Sequence, residues 1–174
     1  LLASVLEGNG YKVVCNRTGS NMLTGVASAF VLAAGLSGHL KADYACIEID
    51  EASTVRVFPH FRPDYMVLTN LFRDQLDRYG EIDITMDLLS RAMKMAPEMK
   101  VLDNGDDSLS TYLALENENP HFTFGIGQQV FQDEDTREIR EGRFCKRCGE
   151  KMEYNFYHYS QLGDYYCPRC GFKR

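Results

Sequence analysis

Four of the six cysteines are spaced to hold a metal ion. Cys145-Lys-Arg-Cys148-Gly and Cys167-Pro-Arg-Cys170-Gly are near-identical knuckles with eighteen residues between them, the C-x2-C…C-x2-C pattern of a zinc site. Each knuckle brings two thiolates round one tight turn. Gly149 or Gly171 follows the second cysteine of each, where a positive φ costs little. Four thiolates complete a tetrahedral Zn2+ shell with no position left for substrate, so the predicted metal is structural. Two disulfides, or a redox pair, are the alternatives this spacing leaves open. Tyr154, Phe156, Tyr157, Tyr159, Tyr165 and Tyr166 would supply the strands and small core of a ribbon that depends on its metal. Zinc ribbons often bind nucleic acid, and Lys146, Arg147, Arg169, Lys173 and Arg174 keep that reading open for the ribbon taken alone. The same side chains would suit anionic lipid headgroups in a peripheral membrane contact.

The second set of chemistry-bearing residues is rich in oxygen. Tyr44–Ile49 and Tyr65–Leu68 are short apolar runs, and each predicts a strand, the latter buried on both faces. The first carries Glu48 near its exit and runs into Asp50, Glu51 and Ser53. The second runs into Thr69, Asn70, Arg73, Asp74, Gln75, Asp77, Arg78 and Tyr79, closed by Gly80. An open α/β sheet binds its ligands outside the carboxyl ends of its strands, which is where these polar groups fall. The alternative is a helix start with a solvated charged face.

The elements that must position these groups alternate along the chain. Leu1, Leu2, Val5 and Leu6 have helical spacing, ended by Gly8 and Gly10; Val13–Cys15 is a short strand. Asn16 to Asn21 is a polar loop whose Ser20 or Asn21 can cap a helix from Leu23 to about Leu36, with Gly35 and Gly38 as its stop. Ala52–Phe58 is a short amphipathic piece, and Pro59 and Pro63 punctuate the link to Tyr65. Leu88, Leu89, Ala92, Met93 and Ala96 form a helical core stripe ended by Pro97. Val101 and Leu102 belong to a strand, Leu109–Leu115 to a helix and His121–Phe124 to another strand. Gln129–Phe131 and Thr136–Phe144 read as strands leading into the knuckles. The alternation predicts a three-layer α/β fold with a largely parallel sheet over residues 1–136, and a small four-cysteine zinc ribbon over 137–174.

Composition narrows the function classes. With 174 residues, 44% of them hydrophobic, the chain suits one ordinary domain and an appendage. Residues 1–136 hold 10 basic against 20 acidic side chains, and residues 137–174 hold 9 against 5. An acidic body argues against a general nucleic-acid binder. No apolar run approaches the roughly 20 residues of a membrane span, and no signal-peptide pattern is visible. Cys15 and Cys46 sit singly in apolar runs and are expected to be buried thiols. That cysteine usage points to the cytoplasm. His39, His60, His121 and His158 have no ligand spacing and receive no role.

Four segments together carry a family resemblance. I-E-I-D-E-A-S at Ile47–Ser53 and T-N-L-F-R-D-Q-L-D-R-Y-G-E at Thr69–Glu81 resemble the central ATPase domain of the Mur ligases. N-R-T-G-S-N at Asn16–Asn21 fits the same domain, and L-D-N-G-D-D-S at Leu102–Ser108 looks like the family's Asn-x-Asp-Asp segment. A cysteine-rich insertion marks the MurT branch, the ligase-like subunits of lipid II isoglutaminyl synthase. Such ligases join an amine to a carboxylate through an acyl phosphate made with ATP and Mg2+. The resemblance therefore implies that Glu48 binds Mg2+. It places Asp74 and Gln75 with Glu48 as catalytic residues, and Asn16, Arg17, Asn21, Asn70 and Arg73 near nucleotide or substrate. It further implies a lipid II-like substrate, a glutaminase partner of GatD type as the ammonia source, and no nucleic acid. Another amino-acid-adding or folylpolyglutamate synthase-like ligase is the alternative within the family, and a zinc-ribbon binding module the alternative outside it.

Two departures bear on activity. No G-x-x-x-x-G-K-[ST] phosphate loop occurs, and Leu1–Leu6 looks like the tail of the helix that would follow one. The chain is thus expected to be a fragment, truncated at its N-terminus, lacking a C-terminal ligase domain and inactive alone. Most Mur ligases also carry histidine where Gln75 stands and a carbamoylated lysine further on, whereas no lysine lies between Gln75 and Lys94. A neutral amide is a weaker Mg2+ ligand, which puts a second metal in question.

Overall fold

Parallel strand pairing organises the body of the chain. The computed structural model describes residues 1–17, 19–72, 82–130 and 141–174, and these form two compact units, 1–61 and 62–174. The first unit holds α1 (Leu2–Gly8), β1 (Val13–Cys15), α2 (Leu23–Ala34), β2 (Tyr44–Cys46) and α3 (Thr54–Val57). Here β1 and β2 pair in parallel, Val13 beside Tyr44 and Cys15 beside Cys46. The second unit holds β3 (Tyr65–Leu68), α4 (Ile82–Met95), β4 (Lys100–Asn104), α5 (Ser108–Leu115) and β5 (His121–Phe124), then the hairpin of β6 (Glu153–Tyr159) and β7 (Leu162–Tyr166). Its parallel sheet has the order β3-β4-β5, and the β6–β7 hairpin is antiparallel. The fold is mixed α/β and mostly parallel, as the alternating pattern predicts.

Packing of the second unit follows helical spacing. Ile82, Met86, Leu89 and Met93 fall on one face of α4 and are buried, with Ala92 and Ala96 beside them. Val101 of β4 and Leu109 and Leu113 of α5 are buried as well. Each such aliphatic side chain contributes about 1.5–3 kcal/mol when fully removed from water. No helix among the described residues is long and apolar enough to cross a membrane.

Several local expectations need correction. Strand β2 ends at Cys46, not Ile49, because beyond it the neighbouring chain offers a side-chain amide in place of a backbone ladder. Helix α2 starts from Met22 with no side-chain cap. Ser20 packs instead against Gly25, where a Cβ would lie 2.1 Å from the Ser20 hydroxyl, so only glycine fits in the first turn. Strand β3 alternates: Leu68 is buried, but Tyr65 and Val67 are 60% and 48% exposed, so it is not covered on both faces. Cys15 and Cys46 are half-buried, since each sits on a two-stranded sheet. The strands expected over Gln129–Phe131 and Thr136–Phe144 are absent from their described parts. Gln129 and Val130 are irregular, and Glu141–Arg143 is a 3-10 turn that brings the chain into the first knuckle.

Candidate functional site

The carboxyl ends of β1 and β2 are joined by one side chain. Asn16, 7% exposed, accepts the Glu48 backbone N–H on Oδ1 at 2.9 Å. Its Nδ2 donates to the Glu48 carbonyl at 2.7 Å and to the Ser20 carbonyl at 2.9 Å. A carboxamide has the donor and acceptor of a peptide group, so it extends the ladder by one more rung. Two residues on, the Asp50 N–H donates to the Asn21 carbonyl at 2.9 Å. The Asp50 carboxylate then accepts from the Ser53 N–H and hydroxyl at 3.2 and 3.1 Å, starting a 3-10 turn. Asn16, Asn21 and Glu48 are thereby gathered at one strand-end edge, with Glu48 exposed. Arg17 leaves that edge to pair with Glu7 of α1. A fixed backbone carrying an exposed carboxylate suits Mg2+, which takes one or two carboxylates and keeps waters and phosphates for its other positions.

In the second unit the exit of β3 is held on both sides of Asn70. The Asn104 Nδ2 donates to the Thr69 carbonyl at 2.7 Å, and the Leu71 N–H donates to Asp107 Oδ2 at 2.9 Å. Asp107 also caps α5, accepting from the N–H groups of Leu109 and Ser110 at 3.3 Å and from the Ser110 hydroxyl at 2.6 Å. Burial pushes its carboxyl above the usual range, against the pull of the Ser110, Leu71 and Leu109 donors. Asn70 is half-buried between these anchored neighbours. Arg73, Asp74 and Gln75, predicted to act beside it, lie outside the described residues. The sequence marks Asn104 and Asp107 only as part of an Asn-x-Asp-Asp segment, with no role attached. Gln161, which reaches the same turn, has no local signal at all.

The knuckles bring four sulfurs together. Among the described residues, Cys145, Cys148, Cys167 and Cys170 place their Sγ atoms all within 4.8 Å of one another. Cys145 and Cys170 are 3.6 Å apart, and Cys148 and Cys167 3.5 Å. Thiolates bound at about 2.3 Å to one tetrahedral ion stand roughly 3.8 Å apart, so the donor set fits zinc. Gly149 and Gly171 adopt φ of +75° and +74°, which turns each knuckle back so that their N–H groups meet the Cys145 and Cys167 carbonyls. Burial pushes the Cys145 thiol up to about 12. Burial opposes ionisation at Cys167 too, but the Cys170 and Arg169 N–H groups and neighbouring thiols bring it down to about 7.

The ribbon core contains Cys145, Met152, Tyr165, Cys167 and Phe172, with Tyr154 and Cys148 against it. Tyr112 of α5 packs on the same cluster, its ring edge-on to Phe172 at 6.4 Å. The expected aromatic core is therefore only partly right: Met152 and Phe172 do much of the filling, and the α/β body closes it.

No family model matches the chain. It is 36% identical over 174 residues, its whole length, to the lipid II isoglutaminyl synthase (glutamine-hydrolyzing) subunit MurT of Staphylococcus aureus strain COL. The Streptococcus pneumoniae R6 protein of the same name is 36% identical over 176 aligned residues. The chain spans 38% of the length of these curated relatives. Among solved structures, a pseudomurein peptide ligase type C from Methanothermus fervidus superposes with a TM-score of 0.72 at 21% identity. That match covers 99% of this chain and 33% of the other, and it shows a common fold.

Proposed function

This chain is a MurT homologue along its whole length, with a Mur ligase-like fold, and from that premise we propose that it forms part of an ATP-dependent amide ligase of peptidoglycan synthesis. The reaction proposed is amidation of a glutamate carboxylate on a lipid II-like substrate. The γ-phosphoryl of ATP passes to a carboxylate oxygen, leaving ADP and an acyl phosphate. Ammonia then attacks the carbonyl carbon, the C–O bond to phosphate breaks, and the nitrogen sheds a proton as the amide forms. Mg2+, when bound, neutralises phosphate charge and orients the oxygens for in-line transfer.

The observation that carries this reading is the strand-end edge at Glu48. Its carboxylate would hold Mg2+ through a hard oxygen, while Asn16 fixes the peptide from which it projects. Asn21 lies in the facing loop, where nucleotide or substrate would pass, and Arg17 would meet them only by giving up its pairing with Glu7. In the second unit Asn70 would meet phosphate or substrate, followed by Arg73, Asp74 and Gln75. Cys145, Cys148, Cys167 and Cys170 would hold a structural zinc. The name of the curated relatives, a glutamine-hydrolyzing synthase subunit, supports a separate GatD-type glutaminase as the ammonia source. The reaction so read belongs in the cytoplasm, with at most peripheral membrane contact and no nucleic-acid partner. The test is amide formation on a lipid II-like acceptor by the full-length protein with ATP, Mg2+ and an ammonium salt. ADP without amide, or amide without ATP, would refute it.

A further inference from the structure

The ribbon makes buried polar contacts with the α/β body. Gln161 lies at the turn between β6 and β7, a place where a free-standing hairpin meets solvent, yet it is fully buried. Its Nε2 donates to the Leu71 carbonyl at 2.9 Å and to Asp107 Oδ1 at 3.0 Å, and its Oε1 accepts the Gly142 N–H at 3.2 Å. A carboxamide is tolerable at such depth only when its groups are hydrogen-bonded, and two of these three partners belong to the α/β body. The neighbouring contacts aim at the same place. The Gly163 N–H donates to the Asp106 carbonyl at 2.9 Å, and Arg174 Nε donates to the Asp106 carboxylate at 2.6 Å. The hairpin tip and Arg174 therefore seat on Asp106 and Asp107. Asp107 and Asn104 are the residues that anchor Leu71 and Thr69 on either side of Asn70, and the Asp106 N–H is tied to Asn104 Oδ1 at 3.0 Å.

We propose that the four-cysteine ribbon positions the Thr69–Leu71 turn, with Gln161 as the positioning residue that links zinc occupancy to the placement of Asn70. The connection is continuous. Cys167 follows directly on β7, whose Tyr165 shares the cluster with Cys145, Cys167 and Phe172, and Gln161 immediately precedes that strand. Zinc holds the knuckles, the knuckles hold the register of β7, and β7 presents Gln161 to Leu71. The functional half of this inference rests on the reading of Asn70 as part of the ligase site.

The experiment is hydrogen–deuterium exchange by mass spectrometry on the full-length protein, in three forms: zinc-loaded wild type, Gln161→Leu, and wild type stripped with a chelator. Gln161→Leu should keep its zinc while the peptides covering 66–72 and 104–110 exchange at least about tenfold faster, with those covering 13–16 and 44–48 unchanged. Chelation should produce the same loosening of 66–72, which also serves if Gln161→Leu does not fold. The rate of amide formation should fall in Gln161→Leu more than KM for the acceptor changes. Unchanged exchange at 66–72 in both the variant and the stripped protein would overturn the positioning role. Glu48→Gln separates the two readings. If it abolishes amidation while a loosened Gln161→Leu retains full activity, the positioning proposal fails and the ligase site stands. If Glu48→Gln is fully active, the site reading is what fails.

Discussion

Asn16 holds the peptide groups of Glu48 as a neighbouring strand would, taking its N–H at 2.9 Å and giving to its carbonyl at 2.7 Å. The contact spans 32 residues and uses only the backbone of Glu48. The carboxylate is left to solvent on a base that cannot shift without breaking both bonds. Position and chemistry are thus divided between two residues, and they are separable by mutation.

Glu48→Gln keeps the backbone bonds to Asn16, so its thermal midpoint should match wild type. In the full-length protein it should lower Mg2+-dependent amidation by about 100-fold or more, the loss of one charged ligand at a phosphoryl-transfer site. A Mg2+ titration checks this, and full activity would show Glu48 to be a surface acid.

Asn16→Ala removes the same tie from the other side. It strips partners from the Glu48 peptide and the Ser20 carbonyl in a half-buried place, at a cost of about 2 kcal/mol. Urea unfolding should show that loss. A change below roughly 0.5 kcal/mol would mean that water replaces the carboxamide.

Asp107→Ala should destabilise the second unit by about 3 kcal/mol, because the Leu71 N–H, the α5 cap and the Gln161 amide all lose an acceptor. Its pH dependence has a definite sign. Burial raises the folded pKa above the unfolded one, so the group's contribution is full below the unfolded value and is lost as pH rises through the folded value. Asp107→Asn should flatten the stability profile across that acidic window, as measured by thermal melts at a series of pH values.

Zinc should be present at about one ion per chain, and Cys167→Ser should abolish it. Because Tyr112 of α5 closes the ribbon core, chelation should lower the melting transition of residues 62–174 and not merely fray the hairpin. Elemental analysis and calorimetry test both points. Intramolecular disulfides with no zinc in protein purified under reducing conditions would contradict the assignment.

How much was legible in the sequence depended on the range of the interaction. The knuckles were readable because two cysteines and a glycine within five residues specify the turn, and the glycines do take the positive φ. Strand β3 and helix α4 were readable from apolar runs and helical spacing. The exposure of Tyr65 and Val67 was not, since a short apolar run carries no information about which faces are covered. Helix α2 lost its expected cap because its N-cap position falls on Met22, while Ser20 packs on Gly25. Gln161 was illegible for the plainest reason. It acts 90 residues from Leu71 and 54 from Asp107, and nothing in a tyrosine-rich hairpin distinguishes a glutamine that faces water from one that is buried.

If the proposed reaction holds, the full-length protein phosphorylates a carboxylate before nitrogen is added, with Glu48 serving the metal. The most direct measurement is oxygen-18 transfer from the labelled acceptor carboxylate. With ATP, Mg2+ and ammonium, the label should appear in the inorganic phosphate released, in step with amide, and the signal should vanish in Glu48→Gln. Amide formed with unlabelled phosphate would contradict the acyl phosphate route, and labelled phosphate from Glu48→Gln at the wild-type rate would contradict the role of Glu48.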